Sequence, residues 1–392
     1  MPAPVVRLVT RLFAPEVGAA AFRQRVLADS FSELGCSVEV VTTRPPAEVL
    51  QTAGGTHDGA LRVSRWPVLR DENGNVRGYV HYLSFDAPAL VRLLARRPPA
   101  FYVAEPPPTT GLVVRLVAAL HRRPYVYYAA DVWSDGAASA GAPGVVVSLL
   151  RRLEAAVLRR AVLVLSVSEG VSERLELLGV PAERILLVGN GVDTSVFTPD
   201  GPDAGEAGPY FAYAGTMSEW QGADVFVEAL ALVRREHPDA RIVFMGQGSE
   251  QAALRALAER TVPGAVELRG VVPPAVVAST MRGAAAGLVS IRPGLGYDFA
   301  KPTKIYAATG SGTPVVFAGE GAGRELVTSQ RLGWAPGYEV EAVAAAMSAA
   351  VREQRTPERT TRLADWTEAN ASLGAAARSA ASATLDAVHR TR

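Results

Sequence analysis

The chain has 392 residues, of which 48% are hydrophobic and 20% charged, a globular composition too long for one comfortable core, so we expect two domains or one large one. The net charge of +1 gives no general attraction to nucleic acid, and no nucleic-acid partner is expected. The single cysteine, Cys36, excludes an internal disulfide, and the absence of a leader segment or a long apolar run predicts a cytoplasmic protein.

The first half of the sequence alternates strands with helices. Strands are predicted at 4–10, 37–42, 100–103, 125–129 and 162–167, and helices at 20–34, 88–96, 111–122 and 145–160. Apolar strands separated by amphipathic helices indicate a parallel sheet that is covered on both faces.

A second series of the same kind follows a segment at 199–209 that is rich in Gly, Pro and Asp, as linkers are. Its strands are predicted at 210–214, 240–245, 265–268, 287–291 and 314–318, and its helices at 223–237, 250–260, 274–283 and 302–309. We therefore predict an N-terminal domain at 1–198, a C-terminal domain at 199–372, and a closing segment at 373–392 whose Ala-rich helix packs across the domain junction. Two doubly wound α/β domains would face each other across a cleft, where such sheets bind ligands at the carboxyl ends of their strands.

The only two lysines, Lys301 and Lys304, lie three residues apart at the start of the predicted helix 302–309. A bias in base composition explains scarce lysine in general, but their shared position before a Gly-rich turn favours phosphate binding. Arg292 follows the preceding strand, and the helix start adds free N–H donors and partial positive charge. This combination suits a diphosphate without a metal, and the sequence has neither a DxD pair nor a His/Cys group with metal spacing.

Other positions at strand ends are less specific. Gly215 and Gly246 each leave a strand and allow a ligand to approach the backbone, although ordinary βα turns explain either one equally well. Asp131 and Trp133 follow a strand, and an acid beside an aromatic ring suits a sugar or another polar acceptor. Glu105 could join them, although a solvated strand end is the favoured interpretation of Glu105 alone. No Gly-x-Gly-x-x-Gly follows the first strand, which argues against a nicotinamide or flavin site, and no Walker A pattern occurs in the sequence.

Seven motifs occur in a specific order along nearly the whole chain. They are Pro15-Glu16-x-Gly18-Ala19, Asp131-x-Trp133, Asn190-Gly191-Val192-Asp193-x4-Thr198-Pro199, Tyr213-Ala214-Gly215, Gln221-Gly222, Gly246-x-Gly248 and Pro302-Thr303-Lys304-x8-Thr313-Pro314. Their order and spacing resemble the GT-B-fold retaining glycosyltransferases of the family 4 type, in the branch that includes capsule and aminosugar transferases.

The resemblance implies an α/β protein of two Rossmann-like domains that moves a sugar from a nucleotide-diphosphosugar, UDP- or GDP-linked, with retained configuration. No metal or other cofactor is implied. The catalytic positions are Asp131 and Lys304. The donor-binding positions are Gly18, Gly215, Thr216, Gln221, Gly246, Val271, Val272, Arg292, Lys301, Thr303, Lys304, Ile305 and Glu325. The acceptor-binding positions are Glu16, Glu105, Asp131 and Trp133.

Two departures from the family pattern leave alternatives open. The paired glutamates of the family, spaced Glu-x7-Glu, fall on Phe299 and Ala307, so ribose binding must come from elsewhere, and Glu325 is favoured. A lysine common near the Gly215 loop is replaced by Gln221. The alternatives are an unusual donor, a specialised reaction, or a catalytically silent protein that binds a nucleotide-sugar and partners another transferase. A sugar-nucleotide epimerase is not supported, because this sequence lacks the paired carboxylates and histidines that the proton transfers of such an enzyme would need.

The acceptor is less constrained than the donor. A small soluble acceptor in specialised metabolism is favoured, including one with an amine or thiol. Arginine pairs at 96–97, 122–123, 151–152 and 159–160 keep a lipid-linked acceptor open, because they could make a basic face, but acids nearly balance the arginines over the first 200 residues. The oligomeric state is open.

Overall fold

The computed structural model describes residues 3–16, 18–52, 58–71, 74, 76, 78–139 and 141–391. The chain forms two compact units, one of Met1–Asn190 with Leu373–Arg392 and the other of Gly191–Ser372. The segment 191–198, assigned to the first domain by the sequence, lies in the second unit. It is held there because the Val192 amide donates to the Ala371 carbonyl oxygen at 3.0 Å and Val192 bridges Ser372.

The first unit is built on a seven-stranded parallel sheet. Its strands are β1 Val5–Val9, β2 Ser37–Thr43, β3 Arg62–Trp66, β4 Phe101–Ala104, β5 Tyr125–Ala129, β6 Leu163–Ser166 and β7 Ile185–Leu187. Its helices up to residue 190 are α1 Ala19–Glu33, α2 Ala47–Thr52, α3 Tyr79–Leu94, α4 Pro108–His121, α5 Trp133–Ser139, α6 Gly144–Leu158 and α7 Glu169–Leu177. The strand order is β3-β2-β1-β4-β5-β6-β7, so the order reverses between β1 and β4.

Helix α3 begins nine residues before the predicted helix and contains Pro88, which the sequence interpretation had placed at its start. The helix continues through the proline because Phe85, Ala89 and Leu93, spaced by four, form a buried face against the sheet. Tertiary packing of that face outweighs the loss of one backbone hydrogen bond at the proline.

The second unit repeats the architecture with a six-stranded parallel sheet. Its strands are β8 Tyr210–Ala214, β9 Arg241–Met245, β10 Val266–Leu268, β11 Ala286–Ser290, β12 Val315–Ala318 and β13 Gly333–Trp334. Its helices are α8 Asp224–Glu236, α9 Gln251–Thr261, α10 Pro274–Gly283, α11 Thr303–Gly310, α12 Ala322–Ser329, α13 Val340–Arg352 and α14 Pro357–Ala371. The strand order β10-β9-β8-β11-β12-β13 reverses between β8 and β11.

Helices cover both faces of each sheet, which explains why the central strands are largely apolar. In the second unit, Phe226 of α8 and Met347 of α13 pack on one face, and Ile305 of α11 and Leu363 of α14 pack on the other. The predicted fold class, α/β with two Rossmann-like doubly wound domains, is confirmed.

The last helix, α15 Leu373–Arg390, returns to the first unit. It packs against α1, and Ala380, Ala381 and Val388 join Leu27 and Phe31 in the core on that face of the sheet. Small side chains let the two helices approach closely, so an Ala-rich sequence suits this position.

Candidate active site

Lys304 is a buried cation at the carboxyl end of the second sheet. It is the second residue of α11, which follows β11 beside the point where the strand order reverses. The side chain is only 8% exposed, and Nζ lies 4.9 Å from the centroid of the Tyr213 ring. Among the described residues, no carboxylate pairs with it. Burial therefore lowers the pKa of Lys304 to about 7, because the charged form has lost water without gaining an anion.

Gln221 provides the nearest polar contact to this amine. Gln221 is buried in the 3₁₀ turn Glu219–Gln221, and we assign its amide the orientation that satisfies both ends. The amide oxygen then accepts from Lys304 Nζ at 2.8 Å, while the amide nitrogen donates to the Thr216 carbonyl oxygen and, at 3.3 Å, to the Tyr213 hydroxyl. Predicted as a donor-binding residue, Gln221 in this structure contacts the lysine.

Two glycine loops pack beside Lys304. Gly215 has φ 124°, and a Cβ there would lie 3.1 Å from Lys304 Nζ, so a side chain would crowd the amine. Gly246, with φ 138°, lies against the Gly215 loop so closely that a Cβ would overlap the Gly215 carbonyl oxygen. The Gly215 amide donates to the Met245 carbonyl oxygen at 2.8 Å. Contact between the loops is sufficient to require Gly246, whose role towards a donor stays a prediction.

Arg292 lies in the loop after β11, but its guanidinium already has a carboxylate partner. Arg292 Nη2 lies 2.7 Å from each Asp224 carboxylate oxygen. The Tyr338 hydroxyl donates to the Gly222 carbonyl oxygen at 2.6 Å and lies 3.4 Å from Asp224 Oδ1. The sequence interpretation missed Asp224, whose only signal is its position in the first turn of α8. Arg292 is placed near the site, but engaged rather than free.

The remaining predicted donor positions differ in how far their side chains are exposed to solvent. Thr216, Lys301, Val271 and Glu325 are exposed, and Thr303 and Val272 are half-buried. Ile305 is buried in the core, and its amide donates to the Pro302 carbonyl oxygen at 3.0 Å, so its side chain is turned away from solvent. At the two positions of the missing glutamates, Phe299 is 61% exposed and Ala307 is buried.

Glu105 is a buried acid at the carboxyl end of the first sheet. It follows β4, where the strand order reverses, and is 4% exposed. Thr10 Oγ1 donates to one carboxylate oxygen, and Gln24 Nε2 donates to the other at 2.8 Å. Burial raises the pKa of Glu105 to about 7, although the Thr10 and Gln24 hydrogen bonds and the charges of Arg23 and Arg11 oppose the shift. The interpretation of Glu105 as a solvated strand end is therefore wrong, because the start of α1 covers it.

Asp131 and Trp133 lie at the end of the neighbouring strand, β5. Asp131 retains solvent exposure, yet desolvation by the surrounding protein raises the pKa of its carboxyl group, opposed by Arg23, Trp133 and Arg11. Trp133 meets the Tyr82 ring edge to face at 5.4 Å, and Arg11 Cζ lies 4.3 Å from the Tyr82 ring centroid. The structure thus brings Asp131, Trp133 and Glu105 to one edge of one sheet.

Trp133 is held in place by an acid from another helix. Glu154 of α6 is 3% exposed and accepts from the Trp133 amide at 2.8 Å and the Ser134 amide at 3.0 Å. These amides begin α5, where backbone donors have no partner within their own helix. The Glu154 carboxylate therefore fixes the start of the helix that presents Trp133.

Glu16 and Gly18 lie in the loop after β1. Arg70 holds the Glu16 carboxylate with contacts of 2.9 and 3.0 Å, and Thr43 Oγ1 lies 3.2 Å from it, so this acid is engaged. Gly18 precedes α1 with extended backbone, and the space where its side chain would lie is open. Its predicted contact with a donor phosphate stays a prediction.

Two kinds of feature are absent from the described part of the chain. Within those ranges, no three His, Cys, Asp or Glu side chains are gathered as ligands for a metal ion. No helix there has the combined length and apolar character needed to cross a bilayer.

Comparisons with known proteins match both halves. A model of the glycosyl transferase 4-like domain matches residues 18–191, and one of glycosyl transferases group 1 matches residues 208–353. The chain is 27% identical over 194 residues to WcaL of Escherichia coli (strain K12), whose name assigns it to colanic acid biosynthesis as a glycosyltransferase. That match covers 49% of this chain and 48% of WcaL, about half the length of each.

Two solved structures share the fold over nearly the full length. HepE of Anabaena, solved with UDP-glucose, has a TM-score of 0.71 at 16% identity, covering 98% of this chain and 99% of HepE. Sucrose-phosphate synthase of Thermosynechococcus elongatus has a TM-score of 0.66 at 15% identity, covering 99% and 97%. Together with the two matched domains, this agreement shows that the chain belongs to the GT-B-fold glycosyltransferases.

Proposed function

We propose that this protein is a retaining glycosyltransferase that moves a sugar from a UDP- or GDP-sugar to a small acceptor without a divalent metal. The observation that carries the proposal is the environment of Lys304: a buried amine with no acidic partner among the described residues, beside the start of α11. A diphosphate would supply the missing anion, and the helix start would add N–H donors. HepE was solved with UDP-glucose, which makes UDP the first nucleotide to test.

In the proposed reaction, a hydroxyl, amine or thiol of the acceptor attacks the anomeric carbon on the face from which the phosphate leaves. The bond from that carbon to the phosphate oxygen breaks, and the proton of the acceptor passes to the departing phosphate. Lys304 offsets the negative charge that develops on this group. Asp131, beside Trp133, accepts a hydrogen bond from the acceptor or the sugar.

Lys304→Met tests the proposal directly. The variant keeps the length of the buried side chain and removes its charge, so we expect loss of sugar transfer and UDP binding weakened by about 1.5–3 kcal/mol, the range for a charge-assisted hydrogen bond. Arg352→Ala is the matched control, because it removes an exposed cation from the same unit that pairs with Glu236 at 2.8 Å. Transfer and UDP affinity that are unchanged in Lys304→Met would contradict the proposal.

Phe299 and Ala307 favour a second candidate, a silent protein that binds a nucleotide-sugar and partners another transferase. Neither side chain can supply the carboxylates that the family places there. The two candidates differ in turnover. If the protein is an enzyme, the purified chain alone should hydrolyse UDP-glucose or GDP-mannose, or transfer the sugar from one of them to an acceptor. Binding of these donors without any turnover would support the silent candidate.

A lipid-linked acceptor is the alternative to a small one. Exposed apolar side chains on the neighbouring helices α4 and α6, at Leu120, Val145 and Leu149, favour it, and both helices carry arginines. Co-sedimentation with vesicles separates the two acceptor classes. Binding to anionic vesicles but not to neutral ones would support the lipid-linked acceptor. Absence of binding to either would support the small acceptor.

A further inference from the structure

Arg23 of α1 is a buried cation for which the described residues supply no hydrogen-bond acceptor. It is 9% exposed, its Nε is buried without a partner, and it forms no hydrogen bond or ion pair with any residue that the structure describes. An aromatic ring lies beside the guanidinium, with Arg23 Cζ 5.8 Å from the Tyr128 ring centroid. An unpaired guanidinium in such a place is costly for the folded protein.

Two other arginines of this unit that are buried among the described residues show what Arg23 lacks. Arg7 donates to the Glu39 carboxylate at 2.9 and 2.6 Å. Arg11 donates to the Val76 carbonyl oxygen at 2.9 Å and lies 3.4 Å from that of Pro106. Both have acceptors inside the protein. Arg23 differs because none of the described residues supplies an acceptor for its guanidinium.

The position of Arg23 points to the acceptor side of the candidate active site. The next residue, Gln24, binds Glu105 at 2.8 Å, so this turn of α1 lies against the carboxyl edge of the sheet. The charge of Arg23 also acts on Asp131 and Glu105, lowering the pKa of each against the effect of burial. Neither acid, however, forms an ion pair with it among the described residues.

We propose that Arg23 binds an anionic oxygen group, a carboxylate or a phosphate, carried by the acceptor. The planar guanidinium matches the two oxygens of such a group, and the unpaired buried charge supplies the attraction. Asp131 is then available for the nucleophilic hydroxyl or amine of the same molecule. The acceptor is therefore a small acid, such as a hydroxy acid or a sugar phosphate. The assignment rests on the proposed transferase function and narrows its acceptor class.

Thermal unfolding and calorimetric titration of the full chain with inorganic phosphate and, separately, succinate test this assignment. Ionic strength is held constant with NaCl, so that general salt effects cancel. At least one anion should raise the Tm saturably in the wild type and in Arg25→Met, a control on the same helix whose arginine pairs with Asp29 at 2.8 Å. Arg23→Met should bind that anion at least about tenfold more weakly, and its ligand-free Tm should equal or exceed that of the wild type.

Two results of these titrations would contradict the assignment of Arg23. The proposal is overturned if neither anion gives a saturable shift in the wild type, or if Arg23→Met keeps the shift. If Arg23→Met does not fold, Arg23→Lys replaces it. This variant keeps the charge without the planar fork, so undiminished anion affinity would reject the assignment.

Titration with UDP separates this inference from the proposed function. UDP should bind Arg23→Met as it binds the wild type, because the donor positions near Lys304 lie in the other unit. Loss of UDP binding in Arg23→Met would assign Arg23 to the donor and reject its acceptor role. Absence of UDP and GDP binding by the wild type would reject the proposed function while leaving the anion result standing.

Discussion

Glu105 of the first unit and Lys304 of the second are both buried ionisable groups, and desolvation moves their pKa values in opposite directions. Burial raises the pKa of the carboxyl group to about 7 and lowers that of the amine to about 7. Each group is therefore half-ionised near neutral pH, where a bound ligand can set its charge.

The raised pKa of Glu105 predicts a specific dependence of stability on pH. Between about pH 4.5, the ordinary value, and about pH 7, the folded protein keeps a proton that the unfolded chain has released. The free energy of unfolding should therefore fall as pH rises through this window, by at most about 1.4 kcal/mol per pH unit from this group. Glu105→Gln removes this contribution, so its stability relative to the wild type should rise from pH 5 to 7.

Urea midpoints of the wild type and Glu105→Gln at pH 5, 6, 7 and 8 measure the effect. Glu358→Gln, an exposed substitution in the first turn of α14, serves as the control and should follow the wild-type curve. A constant difference between Glu105→Gln and the wild type at every pH would show that Glu105 ionises as in water.

The individual charged contacts of the site could not be predicted from the sequence. Lys304 could be identified because the sequence has lysine at this loop and nowhere else, so the choice of lysine over arginine was itself informative. Arg23 and Asp224 carry no such signal, since arginine and aspartate are common along the chain. Their significance depends on which distant side chain faces them, as with Arg292 and Asp224, which are 68 residues apart.

At the scale of elements, the loops that follow β8, β9 and β10 form one packed structure, and the first of them lies beside Lys304. The Gly246 amide donates to the Gly270 carbonyl oxygen at 2.5 Å, and that of Met217 to Gln247 at 3.0 Å. Backbone contact between loops requires that side chains be absent at the contact. The position of Lys304 therefore depends on glycines that need not touch a ligand.

Gly246→Ala and Gly264→Ala separate loop packing from backbone conformation. Both glycines have positive φ, 138° and 75°, but a Cβ at Gly264 meets nothing within 4 Å. Gly264→Ala should cost about 1–2 kcal/mol through its left-handed backbone. Gly246→Ala should cost about 1–3 kcal/mol more, the usual cost of overpacking. Equal urea midpoints for the two variants would mean that the loops separate without cost.

The strong periodic elements were predictable, and the weakly apolar ones were not. Strand β5 and strand β8 match their predicted bounds because all or nearly all their residues are buried. Strand β3 was missed because it lies at the sheet edge with both ends exposed and charged residues inside it. Strand β13 has only two residues, Gly333 and Trp334, too few for any period.

At the scale of the whole molecule, the two units share one plan. In each, the strand order reverses once, and the candidate residues lie at the carboxyl ends of the central strands: Glu105 and Asp131 in the first unit, and Gly215 and Arg292 in the second. The carboxyl ends of such sheets are where ligands bind, and we propose that the acceptor binds the first unit and the donor the second. The sequence predicted this plan because it depends on the alternation of strands and helices.

Proton uptake on UDP binding tests the central claim, that Lys304 neutralises the nucleotide diphosphate. At pH 8 the free amine, with a pKa of about 7, is mostly neutral, whereas the phosphate, with a second pKa of about 6, is ionised. The bound anion favours the charged amine, so calorimetry in buffers of different ionisation enthalpy should show uptake of close to one proton, absent in Lys304→Met. UDP binding without proton uptake, and with equal affinity in the variant, would contradict the account.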